Sequence, residues 1–241
     1  MLNKNKICVL IPTLNEEDNI IRIIEKIKKT KIKLDILFID DNSTDNTQKI
    51  INIIKKKNKN IYAIFRNKKG IGSAHKEGLM WCYKNKYSKI ISMDCDGTHD
   101  PKYFKKMLNL SKNYDLVSTS RFIKKGSISD WPRTRKLITI LRHILLKFFL
   151  NLHYDASGAF RCININKINI KNFTQIKSNG YTFFWESLFY LNKKKFRITE
   201  IPVKLYFRKI GSSKMRMKDI FYSAFYLIKL SFNRFLIIKN F

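Results

Sequence analysis

Two aspartates that stand one residue apart are the strongest chemical signal in this chain. Asp94 and Asp96 follow the apolar, β-branched run 89–91, and runs of this kind favour a β-strand. Because side chains alternate along a strand, both carboxylates are expected on the same face. Carboxylate oxygens are the ligands that a hard divalent cation prefers, and such an ion can carry a diphosphate. The pair therefore predicts an enzyme that uses a nucleotide sugar, although a lone Asp-x-Asp also occurs as an acidic loop after a strand.

The N-terminal part of the chain predicts the elements that position these carboxylates. Apolar runs predict three buried strands, and the run before Asp94 predicts a fourth. An amphipathic helical pattern follows each of the first three strands. The strands are predicted at 6–11 (ending at Pro12), 35–39 and 61–65. The first helix is predicted to open at 15–18, the second after a cap by Ser43 or Thr44, and the third after 69–74.

Strands that alternate with helices at this spacing predict an α/β fold with a doubly wound, mostly parallel sheet and a Rossmann-like nucleotide-binding half. Ligands bind such sheets at the carboxyl ends of the strands. Three acidic or turn-forming clusters fall at these ends: 12–16, Asp40 with Asp41, and Asp94 with Asp96. Each cluster alone would be an ordinary cap or solvated turn, but three at one edge of the sheet indicate one binding site.

These motifs resemble those of the family 2 glycosyltransferases and, within that family, those of the dolichol-phosphate mannose synthases. The resemblance runs from about residue 6 to about residue 216 and implies a GT-A fold. The late spacing from Arg208 to Lys214 points to the polyprenyl-phosphate branch. The matching segments are 11–16, 40–47, 69–74, 93–101, 120–122, 180–183 with Glu186, 200–203, 207–208 and 211–214.

The resemblance also implies roles for individual residues. The positions implied to be catalytic are Asp96, Arg121, Arg208 and Lys214, of which the last three contact phosphate and sugar. The positions implied for the metal ion, Mg²⁺ or Mn²⁺, are Asp94, Asp96 and Thr98. The donor is expected against Pro12, Leu14, Glu16, Ile39 and Asp41 at its base and ribose, and against Asp94, Cys95 and Asp96 at its ribose and diphosphate.

The implied reaction is a metal-dependent, inverting sugar transfer, with GDP-mannose as the expected donor and a polyprenyl (dolichyl) phosphate as the acceptor. A phosphate monoester is mostly dianionic at neutral pH, so its oxygen needs positioning more than deprotonation. The alternative donor is a UDP-sugar. The alternative acceptor is a sugar hydroxyl, which would need a general base. Asp155 and Glu186 are the candidate bases, and His99 is expected to orient the metal loop.

The composition predicts one sizeable domain with a strongly basic surface. The chain has 241 residues, and its 49 basic and 18 acidic residues give a formal net charge of +31. Such a charge suits an anionic membrane or a nucleic acid. The sequence has no basic stretch interleaved with aromatics that would indicate a nucleic-acid binder, so no such partner is expected. The four cysteines lack a Cys-x-x-Cys spacing, which argues against a zinc site or a disulfide framework.

Two amphipathic segments predict contact with a membrane surface. Residues 135–150 and 219–241 are rich in apolar residues with cations at intervals, and neither has the uncharged stretch of about 18 residues that a membrane span needs. The catalytic domain is predicted at 1–218. The segment 219–241 is predicted to associate with the membrane and could pair with a small membrane subunit. Packing of either helix on the catalytic core is the alternative.

The N-terminus leads directly into the first predicted strand, without a long apolar region. A secretory signal peptide would need such a region. The enzyme is therefore expected at the cytoplasmic face of a membrane, attached peripherally or through its C-terminal segment. That membrane would be the endoplasmic reticulum in a eukaryote or the plasma membrane in a prokaryote.

Overall fold

The computed structural model describes residues 6–205 and 217–238, with side chains described as far as residue 232. Within these residues, seven strands form one mixed sheet with helices on both faces. The strands are β1 (Ile7–Thr13), β2 (Asp35–Asp40), β3 (Ile61–Phe65), β4 (Lys89–Ser92), β5 (Leu116–Ser120), β6 (Arg161–Asn164) and β7 (Ile198–Pro202). The helices are α1 (Glu17–Lys28), α2 (Thr47–Lys57), α3 (Ile71–Lys84), α4 (Phe104–Leu110), α5 (Arg133–Leu150), α6 (Lys171–Thr174), α7 (Thr182–Lys193) and α8 (Met217–Ile238).

The strand order is β3-β2-β1-β4-β6-β5-β7, so the four strands predicted from the sequence lie side by side. These four are mutually parallel. β6 runs antiparallel to both of its neighbours, and β7 is parallel to β5. The predicted mostly parallel α/β sheet is confirmed, with β6 as its antiparallel member.

β1 runs two residues further than the apolar pattern predicts, through Pro12 to Thr13. Proline has no backbone N–H, so within a sheet it is confined to positions that need no donor. β1 pairs with β4 only as far as Leu10, whereas its pairing with β2 continues to Thr13. Pro12 therefore lies beyond the end of β4, where one edge of β1 has no neighbouring strand.

The loop between β2 and α2 differs from the prediction. α2 begins at Thr47, and the carboxylate of Asp45 accepts the Thr47 N–H at 3.0 Å. Ser43 instead donates its hydroxyl and its N–H to Asp40. The prediction that Ser43 or Thr44 caps α2 is wrong, because the helix starts later and Ser43 holds the loop against the end of β2.

Both faces of the central strands are buried, as expected where helices cover a parallel sheet on two sides. On one face, Cys8 and Leu10 of β1 join a core that includes side chains of α3, α7 and α8. On the other face, Val9 and Ile11 pack with side chains of α1, α2 and α4. α8 thus belongs to the core of the domain, and the predicted boundary at residue 218 falls within its first turn.

α5 and α8 contact each other and expose large apolar side chains. We call these side chains the apolar surface. It consists of Leu137, Ile138, Ile140, Leu141, Ile144 and Phe148 on α5, and of Phe221, Tyr222, Phe225, Ile228 and Phe232 on α8. Among the helices in the described parts of the chain, none combines the length and the apolar character that a membrane span requires.

The glycine turn at the start of α3 is packed too tightly for a side chain. A Cβ atom added at Gly72 would lie 2.6 Å from Cβ of Phe183 and 2.7 Å from the carbonyl oxygen of Gly180. Gly70, just before the helix, has a φ of +143°, a conformation that L side chains rarely adopt. The two glycines allow this turn to lie directly against the loop before α7.

We expect Gly72→Ala to lower the free energy of unfolding by about 1–3 kcal/mol, the usual range for overpacking a filled site. Gly158→Ala is the matched control, because the nearest atoms to a Cβ at that position lie 3.9 Å away. Denaturant unfolding of the two variants measures the difference. Equal stability of Gly72→Ala and the control would contradict the close packing at this turn.

Candidate active site

The carboxyl ends of β1, β2 and β4 lead into one cavity of about 450 Å³. Its wall includes the glycine turn of α3, the end of the loop before α7 and the first turn of α8. The structure brings together seven of the residues predicted for the donor site: Pro12, Leu14, Glu16, Asp41, Asp94, Cys95 and Asp96. The same cavity is lined by Lys69 and Tyr181, which stand in the matching segments without an assigned role, and by Lys218 and Asp219, which the sequence did not indicate.

Local hydrogen bonds hold the loop that carries the two aspartates. Thr98 donates its N–H and its hydroxyl to Oδ1 of Asp96, at 3.0 and 2.7 Å. The N–H of Asp94 donates to Nδ1 of His99 at 2.9 Å, and the imidazole stacks on Phe160 with 4.9 Å between ring centroids. His99 therefore orients the loop through its acceptor nitrogen. The predicted role of Thr98 as a metal ligand stays a prediction.

The residues of this loop fit a hard cation that is also bound by a diphosphate. In the part of the chain that the structure describes, no group of three His, Cys, Asp or Glu side chains could hold a metal ion. Mg²⁺ is commonly bound by one or two carboxylates, with substrate phosphates and water completing its shell. Burial raises the pKa of the Cys95 thiol well above its usual range, so this residue offers no thiolate beside Asp94 and Asp96.

Asp41 is held by a cation that the motifs do not include. Its carboxylate lies 2.9 Å from the guanidinium of Arg66 and accepts the N–H of Gly70 at 2.7 Å. Burial nevertheless raises the pKa of Asp41 above its usual value. Arg66 directly follows β3, at the same sheet edge as the acidic clusters, and this position is the signal by which it could have been found.

Arg121 lies in a buried ion pair with Asp155. Its Nε donates to the Asp155 carboxylate at 2.7 Å, a second guanidinium nitrogen donates to the other carboxylate oxygen, and its backbone N–H donates at 3.0 Å. Burial alone would raise the pKa of Asp155, but the charge and hydrogen bonds of Arg121 lower it below its usual value. Asp155 is therefore an ionised structural partner of Arg121.

The other candidate base, Glu186, is fully buried. Its carboxylate accepts the N–H groups of Lys177 and Ser178, at 3.3 and 3.1 Å, and the hydroxyl of Tyr226 at 2.8 Å. Neither Glu186 nor Asp155 is among the residues that line the cavity. Both carboxylates are engaged by groups of the fold.

Glu200, the first residue of the matching segment 200–203, is a titratable carboxylate for which the sequence predicted no role. Burial raises its pKa to about 7, a value suited to a general base at neutral pH. Its carboxylate accepts the N–H of Asp155 at 2.6 Å, and it is not among the residues that line the cavity. A test of base catalysis in this enzyme therefore has to include Glu200.

Among the described residues, three predicted site residues do not line the cavity: Ile39, Thr98 and Arg121. The side chain of Ile39 is fully buried in the core, so a contact of this residue with the donor has to come from its backbone. Arg208 and Lys214 lie outside the described residues, and their contacts with phosphate and sugar stay predictions.

Known proteins with similar sequences span most of this chain. The sequence model of glycosyl transferase family 2 matches residues 8–209. An undecaprenyl-phosphate mannosyltransferase of Micrococcus luteus is 27% identical over 212 residues, which are 87% of this chain and 87% of that protein. A polyprenol monophosphomannose synthase of Mycolicibacterium smegmatis is 26% identical over 216 residues, which are 88% of this chain and 82% of that protein.

Similarity to a solved structure concerns the fold. Glucosyl-3-phosphoglycerate synthase from Mycobacterium tuberculosis, crystallised with Mn²⁺, UDP and phosphoglyceric acid, superposes with a TM-score of 0.60 at 16% sequence identity. The match covers 93% of this chain and 76% of that structure. The GT-A fold predicted from the sequence is confirmed. Because the family model spans most of the chain, including both aspartates and most of the cavity lining, this chain belongs to glycosyl transferase family 2.

Proposed function

We propose that this enzyme transfers mannose from GDP-mannose to a polyprenyl phosphate at a membrane surface, with Mg²⁺ or Mn²⁺ and with inversion at the anomeric carbon. One observation carries the proposal: α8 lines the carboxylate-rich cavity through Lys218 and Asp219 and also bears five of the eleven side chains of the apolar surface. A water-soluble acceptor would give no reason for such a surface beside the cavity. The names of the two bacterial relatives support a mannosyl donor and a lipid acceptor of this class.

The chemistry at the donor is set by the charge on the leaving group. Asp94 and Asp96 would hold the divalent ion against the diphosphate, and that ion supplies charge stabilisation without proton transfer. Thr98 and His99 keep the two carboxylates in place. Asp41, fixed by its neighbouring arginine, presents a carboxylate at the cavity to the N–H and O–H groups of the base and ribose.

The acceptor needs positioning more than activation. A phosphate monoester with a second pKa of about 6 is mostly dianionic at neutral pH, so its oxygen can attack without a base. Asp155 is already paired with Arg121, and Glu186 with backbone N–H groups and a tyrosine hydroxyl. The alternative, a sugar-hydroxyl acceptor, would require one of these carboxylates or Glu200 as a general base.

The apolar surface fits peripheral attachment to an anionic membrane. Phe148 is 78% exposed on α5, and Phe221 is 69% exposed on α8, which are large values for aromatic side chains. Lys147 and Lys229 are exposed on the same two helices and could extend their ammonium groups to lipid headgroups. We place this attachment at the cytoplasmic face. A small membrane subunit would compete for the same surface.

We expect Asp96→Asn to lower turnover by at least about a hundredfold, because it removes a ligand charge beside the leaving diphosphate. Excess chelator should abolish the activity of the unaltered enzyme, and Mn²⁺ or Mg²⁺ should restore it. Asp100→Asn is the matched control, since Asp100 accepts the Lys102 N–H at the start of a short 3₁₀ turn and does not line the cavity. Full activity in chelator would contradict the metal assignment.

We expect transfer of mannose from GDP-mannose to a polyprenyl phosphate, with GDP a stronger competitor than UDP. At saturating donor, Glu186→Gln and Glu200→Gln should retain turnover within about tenfold, because the acceptor needs no base. Radiolabelled transfer to extracted lipid measures the rate. Transfer to a sugar hydroxyl, lost on the order of a hundredfold to ten-thousandfold in one of these variants, would favour the hydroxyl-acceptor alternative.

We expect the double variant Phe221→Gln with Phe225→Gln to bind anionic phospholipid vesicles at least about tenfold more weakly, because two exposed aromatic side chains leave the contact. Ile21→Gln with Ile53→Gln is the control, since these side chains are 54% and 47% exposed on α1 and α2. Vesicle sedimentation measures the affinity. An unchanged affinity of the phenylalanine variant would exclude this face of α8 as the anchor.

A further inference from the structure

We infer that Glu186 and Tyr226 form a positioning pair that holds one wall of the donor cavity in place. This inference rests on the proposed function, because it concerns the affinity for the nucleotide donor. The wall is the segment 177–181, which has no regular secondary structure until α7 begins at Thr182. Two of its residues, Gly180 and Tyr181, line the cavity.

The carboxylate of Glu186 fixes the start of this segment. It accepts the backbone N–H groups of Lys177 and Ser178, one on each carboxylate oxygen, from its place in the first turns of α7. Glu186 is 0% exposed and has no cation within salt-bridge distance among the described residues. Burial of a carboxylate costs free energy unless hydrogen-bond donors satisfy it. These hydrogen bonds offset that cost for Glu186.

The rest of the segment lies directly on the glycine turn of the cavity. The N–H of Ser73 donates to the carbonyl oxygen of Asn179 at 3.1 Å. Lys76 donates to the side-chain oxygen of Asn179 at 2.8 Å. A Cβ atom at Gly70 or Gly72 would collide with Asn179 or Gly180. A shift of the segment would therefore displace residues of the cavity wall.

Tyr226 supplies the third donor to Glu186 and comes from α8. Its hydroxyl donates to Oε1 of Glu186 at 2.8 Å, the same oxygen that accepts the Lys177 N–H. Its ring packs against Trp185 with 5.7 Å between centroids, and Trp185 in turn donates its indole N–H to Ser223 at 3.3 Å. The pair thus joins α8 to the segment 177–181. Both α8 and this segment contribute residues to the cavity wall.

A positioning role explains why Glu186 belongs to the residues that match the family although it does not line the cavity. A general base would have to contact the acceptor, whereas a positioning residue acts through the segment that it holds. Loss of the pair should weaken donor binding, because the wall becomes less ordered before the donor arrives. It should leave turnover at saturating donor nearly unchanged, since the two metal-site aspartates are not altered.

The test compares Tyr226→Phe with Tyr190→Phe in the full chain. Tyr226→Phe keeps the ring against Trp185 and removes only the hydroxyl, whereas the hydroxyl of Tyr190, one turn beyond Glu186 on α7, is not bonded to that carboxylate. Calorimetric titration of GDP and UDP in the presence of Mn²⁺ gives the dissociation constants. Steady-state rates give KM for the donor and kcat.

We expect Tyr226→Phe to raise the dissociation constant of the nucleotide and the KM of the donor by about fivefold or more, with kcat within about twofold and the control unchanged. Glu186→Gln should act in the same direction and more strongly, because one of the two backbone N–H groups would then face the amide NH2, which cannot accept a hydrogen bond. Should Glu186→Gln fail to fold, the tyrosine variant still decides.

Equal nucleotide affinity of Tyr226→Phe and the unaltered chain would overturn the positioning pair and leave the proposed function standing. A lower melting temperature without any change in KM would overturn it as well, since it would reduce the pair to a stabilising contact. If the unaltered chain binds neither nucleotide with Mn²⁺, the proposed function fails, and this inference fails with it.

Discussion

The crowding of carboxylates at the ends of three parallel strands is the constraint on which the rest of the site depends. Among the described residues, the cavity is lined by five acidic side chains, Glu16, Asp41, Asp94, Asp96 and Asp219, and by two lysines, Lys69 and Lys218. Arg66 compensates one of the five by an ion pair. Neutral donors stabilise two more, from Thr98 to Asp96 and from Asn19 to Glu16. The described part of the wall is therefore rich in carboxylates, which favour a divalent cation as the ion that carries the diphosphate.

Near β5 and β6, the charged groups are affected by burial and not by the crowding of like charges. Arg121 and Asp155 compensate each other there, and Arg161 is bonded to the Ser187 hydroxyl and to two carbonyl oxygens. Burial lowers the pKa of Arg161 to about 9. Breaking a buried pair by removing one partner typically costs about 3–5 kcal/mol. Loss of activity on substitution of Asp155 would therefore report lost stability before it reported any role in proton transfer.

The sequence is sufficient to predict what depends on local pattern. Apolar runs and turn residues place the strands β1 to β4 and the acidic clusters at their ends, because strand alternation and the parallel βα repeat are short-range properties. The partners that fix the clusters are long-range contacts. The hydrogen-bonded pair Asp155 and Arg121 is separated by 34 residues in the sequence. The pair Tyr226 and Glu186 is separated by 40 residues.

Other differences have equally specific physical reasons. Ser43 and Thr44 have the side chains of helix caps, but the loop uses Ser43 to satisfy Asp40, and the helix starts later. The family resemblance assigns Ile39 to the donor, yet its side chain is buried in the core, because helices cover both faces of the sheet. A motif identifies the backbone that reaches a site more reliably than it identifies which side chains do.

If the apolar surface attaches to a membrane as proposed, it also affects how often the enzyme meets its substrate. An enzyme that rests on a bilayer shares a thin layer with every lipid dissolved in that bilayer, so the two search for each other in two dimensions. Confinement of this kind raises the effective concentration of one partner around the other, as a short tether does. A modest intrinsic affinity for a phosphate headgroup is then enough for frequent encounters. Under the proposed function, the two helices would leave recognition of the long prenyl chain to the membrane itself.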